Sequence, residues 1–122
     1  MLGAITVLTV VTALAVVAAI LVSIHNARDA PRNGPHGIKL TADEAIGREL
    51  FAKTCSTCHT LAAANAVARV GPDLDGVRPS KALVLYALQN GFAGSYGQMP
   101  AGLYTGRDAN DIASFVSTVA GR

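Results

Sequence analysis

Residues 55–59 read Cys55-Ser56-Thr57-Cys58-His59. They hold the only two cysteines of a 122-residue chain, with a histidine directly after the second. Two thiols at this spacing add across the two vinyl groups of a haem, and the adjacent imidazole then lies beneath the iron as its proximal ligand. The chemistry explains the spacing: two thioethers pin one edge of the porphyrin, and one helical turn delivers His59 to the metal. Other readings compete. A thioredoxin-like redox pair sets Cys-x-x-Cys beside a βαβ unit, and no such unit is visible. A zinc site needs four ligands, and the remaining histidines, His25 and His36, lie upstream in a segment without core character. A chance match of five residues also stays open. Two cysteines exclude a disulfide framework.

An electron-transfer haem takes a sixth ligand that keeps substrates off the iron. Apart from Met1, the only methionine is Met99, in Gly97-Gln98-Met99-Pro100. Its thioether would complete His59/Met99 ligation and raise the reduction potential relative to two histidines. The competing reading is a gap-filling core methionine, but a lone methionine before a proline in a glycine-rich stretch is an unusual core position. His25 and His36 are weaker distal candidates, since both precede the part expected to fold.

Working outward, Thr41-Ala42-Asp43-Glu44 fits a capping box. It opens a helix whose stripe is Ala45, Ile46, Gly47, Leu50 and Phe51 and which runs toward Cys55. A second helical pattern covers 80–90, with Leu83, Val84, Tyr86, Ala87 and Leu88 apolar and Asn90-Gly91 as the stop. Five glycines and a proline make 91–106 a loop. Thr105-Gly106-Arg107-Asp108 fits another capping box, leading into an amphipathic helix with Ile112, Ala113, Phe115, Val116 and Val119 that closes at Gly121. No segment reads as a strand, so the expectation is an all-α domain at 41–122 with three main helices and long loops. That domain has no Trp, and the whole chain has three Phe and three Tyr. A large flat haem would supply the apolar area that so few aromatics cannot, and the haem-free chain is expected to be largely unfolded.

Hydrophobic residues make up 51% of the chain and charged residues 15%, too apolar for a disordered chain. The excess is local, because 2–24 carries no charge. As a helix this run would rise about 34 Å, enough for a hydrocarbon core of about 30 Å. It exceeds the apolar region of about 7–15 residues in a cleavable leader, and no Lys or Arg follows Met1; the triplet Ala13-Leu14-Ala15 sits inside the run. The expectation is a single transmembrane anchor at 1–24. Small residues at Thr6, Thr9 and Ala13, and at Ala15 and Ala19, permit close helix contact or simply face lipid. Pro31, Gly34, Pro35 and Gly37 make 25–40 a flexible tether, at most about 50–55 Å long. Arg28, Arg32 and Lys39 would place the following domain in the cytoplasm by charge bias. Haem delivery demands the opposite, and the extracytoplasmic side is the expected one. Net charge is +2, and 41–122 balances seven basic against seven acidic side chains. Nothing here recommends a nucleic-acid partner.

Across 41–122 the pattern Gly47-x-x-x-Phe51-x-x-x-Cys55-x-x-Cys58-His59, then Gly71-Pro72-Asp73-Leu74, then Met99-Pro100 and a closing amphipathic helix resembles the class I c-type cytochromes, each with one haem. The resemblance implies a cytochrome c-like haem domain with one covalent haem c. It also implies that Gly47 lets the first helix cross the last, near Phe115; that the Pro72 carbonyl accepts from the His59 ring; and that Leu74 lies against the haem face. Tyr86, Tyr96 and Tyr104 are read as packing residues before propionate partners. Lys53 and Lys81 are the only lysines of the domain, a departure from the basic docking ring of soluble mitochondrial members that weakens long-range steering. The implied function is one-electron carriage without catalysis, in a respiratory or photosynthetic chain on the outer side of a cell membrane. The domain would be a bound subunit of, or tethered donor to, a larger complex such as a quinol-oxidising complex, a terminal oxidase or a photosynthetic reaction centre. The alternative is a haem-based ligand sensor or small haem enzyme with an open distal site.

Overall fold

The helix that leads into the cysteine motif starts where its cap is made. Thr41 N donates to Glu44 Oε2 at 2.7 Å, and Glu44 N donates to Thr41 Oγ1 at 3.3 Å, so the capping box is closed from both sides. The structure is a computed structural model that describes residues 2–29 and 37–122, with side chains described at 6, 7, 9–23 and 37–122. The chain divides into two units, Met1–Pro31 and Arg32–Arg122.

The described residues of the first unit form one helix, α1 (Leu2–Asp29). Thr9 and Thr12 fold their hydroxyls back onto the carbonyls of Thr6 and Thr9, each at 2.9 Å. The transmembrane anchor expected at 1–24 is corrected here: among the described residues no helix is long and apolar enough to cross a membrane. The expectation rests on the lack of charge and on the length of the run. Threonines at 6, 9 and 12 and Ser23 interrupt the run, and α1 continues through His25, Asn26, Arg28 and Asp29, so the uncharged stretch is not a helix of its own. Of the tether expected at 25–40, residues 30–36 lie outside the described residues, and so do the side chains of His25 and His36. Its last residue, Leu40, is buried, and Ile38 packs against the same core.

The second unit runs α2 (Ala42–Thr54), a 3-10 turn (Cys55–Thr57), β1 (Thr60–Leu61), a second 3-10 turn (Ala62–Ala64), β2 (Ala66–Val67), α3 (Leu74–Val77), α4 (Lys81–Asn90), β3 (Phe92–Gly94), β4 (Gly97–Met99) and α5 (Gly106–Val119). Its core is the crossing of α2 and α5. A Cβ on Gly47 would meet the Asp111 carbonyl and come within 2.9 Å of Ile112 N, so glycine is needed for backbone to touch backbone. The nearest contact is thus one turn before the expected Phe115, which instead packs its ring edge-on against Phe51 with centroids 6.1 Å apart. Helix α5 buries Ala109, Ile112, Ala113, Phe115, Val116 and Val119, a stripe at helical spacing. α4 adds Leu88, and its Ser80 cap accepts from Leu83 N at 3.2 Å.

The all-α, three-helix expectation is corrected as well. The described residues form five helices and two small antiparallel sheets, β1–β2 and β3–β4. The 91–106 stretch is not all loop: Phe92 pairs with Met99, Ala93 with Gln98 and Gly94 with Gly97 around a two-residue turn. Strands of two and three residues are too short to show an alternating pattern, and the glycines that signalled loop here sit at the hairpin ends. The second capping box also fails. Gly106 takes φ +58°, which starts α5 out of helical conformation, and the Thr105 side chain caps nothing. Arg107 instead reaches Asp43 at 3.2 Å and the buried Asp111 at 3.8 Å.

Candidate haem site

The 3-10 turn after α2 presents the motif. His59 N and Cys58 N both donate to Cys55 O, at 2.9 and 3.1 Å. The hydroxyls of Ser56 and Thr57 fold back onto Ala52 O and Thr54 O, and Thr54 Oγ1 shares a 2.8 Å hydrogen bond with Tyr104 OH. Cys55 is buried, Cys58 half-buried, and both thiols are free. Burial, and secondarily the neighbouring Cys58, push the Cys55 thiol up to about 11, so it is a neutral thiol at ordinary pH.

Beyond the motif the chain returns to the histidine. Gly71 N donates to Cys58 O at 2.6 Å, and Thr60 bridges Asp73. This return lays Gly71 on the imidazole so closely that a Cβ there would come within 2.8 Å of His59 Cε1. His59 Nδ1 lies 3.0 Å from Pro72 O. A carbonyl only accepts, so this contact puts the ring hydrogen on Nδ1 and leaves the Nε2 lone pair for a metal. The contact expected from the resemblance is therefore present.

Met99 ends β4 and is partly buried, and Leu74 begins α3; both pack against the core cluster that contains Cys55. Gly91 crowds the methionine's segment, since a Cβ there would lie 2.6 Å from Met99 O. Of the three tyrosines, Tyr104 has the paired hydroxyl, whereas Tyr86 and Tyr96 are exposed at 56% and 64%. Val67, Val70, Leu83, Phe92 and Leu103, all on segments that follow His59, are exposed apolar side chains. Two unbridged thiols with two residues between them in the sequence and an imidazole with a lone pair free fit a covalently attached haem. Cys55, Cys58 and His59 would hold it.

Two positions escape sequence reading. Gly71 stands in the sequence only as part of a motif, although its missing side chain makes room for the imidazole. Asp75 carries no such mark, yet its carboxylate accepts from Ala62 N at 2.7 Å and from Gly121 N at 2.9 Å. A carboxylate that binds main-chain amides leaves no residue pattern to find.

Comparison with protein families matches residues 42–116 to the family described as cytochrome C oxidase, cbb3-type, subunit III. Among solved structures, the c-type cytochrome SorU from Sinorhizobium meliloti is similar at 42% identity, with a TM-score of 0.59, over 66% of this chain and 93% of that one. No curated protein sequence matches. Fold and motif define a c-type cytochrome domain. The chain belongs to the cbb3-type subunit III family of cytochromes c. Its cofactor is covalently bound haem c, and its role is electron transfer.

Proposed function

We propose that this domain is a one-electron carrier in which His59 and Met99 would hold the haem iron, working on the extracytoplasmic side of a respiratory chain as electron donor to a larger redox complex, with a terminal oxidase as the leading partner. The observation that carries the ligation is the 3.0 Å contact of His59 Nδ1 with Pro72 O, which leaves Nε2 for the iron. When bound, the haem supplies a reversible one-electron couple. The chain's own residues would do the rest: Cys55 and Cys58 would tether it, Pro72 orients the imidazole, and Met99 would bind the iron and so keep small ligands out. The description of the matched family supports the oxidase as partner. The balance of seven acidic and seven basic side chains in 41–122 supports docking at short range over long-range steering.

The test is spectroscopic. Oxidised holoprotein should show the weak long-wavelength band of thioether bonded to iron, and Met99→Ala should lose it, keep the haem attached, change the reduction potential and bind carbon monoxide rapidly when reduced. A wild-type protein without that band, already open to carbon monoxide, would overturn the carrier reading in favour of a ligand sensor.

A further inference from the structure

α3 is a single turn, yet Asp75 within it gathers main chain from two distant places. One carboxylate oxygen accepts from Ala62 N, just past β1, and the other from Gly121 N, just past α5. Asp75 N in turn donates to Asp73 Oδ1 at 3.0 Å. Asp73 is bridged to Thr60, the neighbour of His59, and the residue before Asp73 is Pro72, whose carbonyl faces His59 Nδ1. The Pro72 carbonyl thus lies on a short segment held at one end by the Gly71–Cys58 hydrogen bond and at the other by the Asp73–Asp75 corner.

We propose that Asp75 is a positioning residue for the proximal ligand: by tying the chain at 62 and at 121 onto α3, it holds the Pro72 carbonyl on His59 Nδ1. The inference rests on His59 being an iron ligand. An acceptor on the far ring nitrogen makes an imidazole a stronger donor to a metal, which favours the oxidised state and lowers the reduction potential. The two bonds that Asp75 accepts go to a carboxylate and are stronger than neutral ones. Asparagine keeps the shape but turns an N–H2 group toward one of two N–H donors, so one tie must break.

The experiment compares full-length holoprotein carrying Asp75→Asn, Asp75→Glu or Thr118→Val with the parent. Thr118→Val is the control for stability alone, because it removes the 2.6 Å bond to Glu44 Oε1 between α5 and α2. The readouts are the midpoint potential and, by NMR of the reduced protein, the exchange rate of the His59 ring N–H with solvent. Asp75→Asn should raise the potential and speed that exchange. Asp75→Glu, which keeps both acceptors, should shift both less, and it serves if the asparagine variant does not fold. Thr118→Val should lower the melting temperature and leave both readouts unchanged. If the Asp75 variants melt earlier with potential and ring exchange unaltered, Asp75 is merely structural and the proposal fails. Lack of an iron-bound imidazole signal in the parent itself would instead sink the ligand assignment, and the proposal with it.

Discussion

His59 is held on one side before any metal is considered. Its Nδ1 is engaged by Pro72 O, and the main chain at Gly71 lies against the ring edge. A methyl group at 71 therefore has nowhere to go: either the imidazole tilts or the 71–73 segment retreats, and both lengthen the Pro72 bond. Gly71→Ala should destabilise the holoprotein by about 1–3 kcal/mol, in the range of other overpacking changes, and should alter the absorption spectrum of the oxidised form; calorimetry and a visible scan check it. At this scale Cys55, Cys58 and His59 were legible because bond-forming chemistry dictates residue type and spacing together. The Pro72 contact came only through family resemblance. Gly71 and Asp75 act through space left empty and through main-chain amides, neither of which marks the letters of a sequence.

Between elements, the α2–α5 pair depends on a polar latch as well as on Phe51 and Phe115. Glu44 closes its own helix cap and also accepts from Thr118 Oγ1 of α5 at 2.6 Å. Burial alone would push its carboxyl up. The hydrogen bonds from Thr118 and Thr41, helped by the charge of Lys81, outweigh burial and hold it below its ordinary value of 4.5. A folded-state value below the unfolded one means that ionised Glu44 stabilises the fold above about pH 4.5, and that this contribution disappears as pH falls through the lower folded value. Glu44→Gln should thus weaken the fold at neutral pH and flatten the acid limb of stability against pH, measured by denaturant titration at several pH values. Helices α2, α4 and α5 were readable from caps and apolar spacing. The β3–β4 hairpin was not, because three-residue strands, one ending in Gly94 and the other beginning with Gly97, carry the same letters as a loop. The Thr105 box misled for a related reason: its four letters are right, but the positive φ of Gly106 spoils the geometry.

At the scale of the whole molecule, the fully buried large side chains among the described residues are Phe51, Phe115, Leu61, Leu88, Ile112, Val116 and Val119, a small core for the unit it supports. Replacing both Cys55 and Cys58 with serine removes the covalent link, and the resulting haem-free chain should lose most of its helical circular dichroism at 37 °C. Retention of a cooperative melt near that of the holoprotein would show that the polypeptide core suffices. The anchor expected at 1–24 is the largest departure: α1 runs on past the uncharged stretch to Asp29, and among the described residues no helix is long and apolar enough to cross a membrane.

Pairing α2 with α5 also sets a timetable. The two partners lie at opposite ends of the second unit, so a ribosome that adds about 5–20 residues per second delivers Phe115 roughly 3–13 s after Phe51. That interval does not decide when Cys55 is covered, because the haem-free chain is not expected to close the crossing over it: attachment comes first and the α2–α5 pair shuts afterwards. A circular permutant that makes α5 first should accordingly give as much pigmented product as the parent, and a fall in its yield would show that the polypeptide closes by itself.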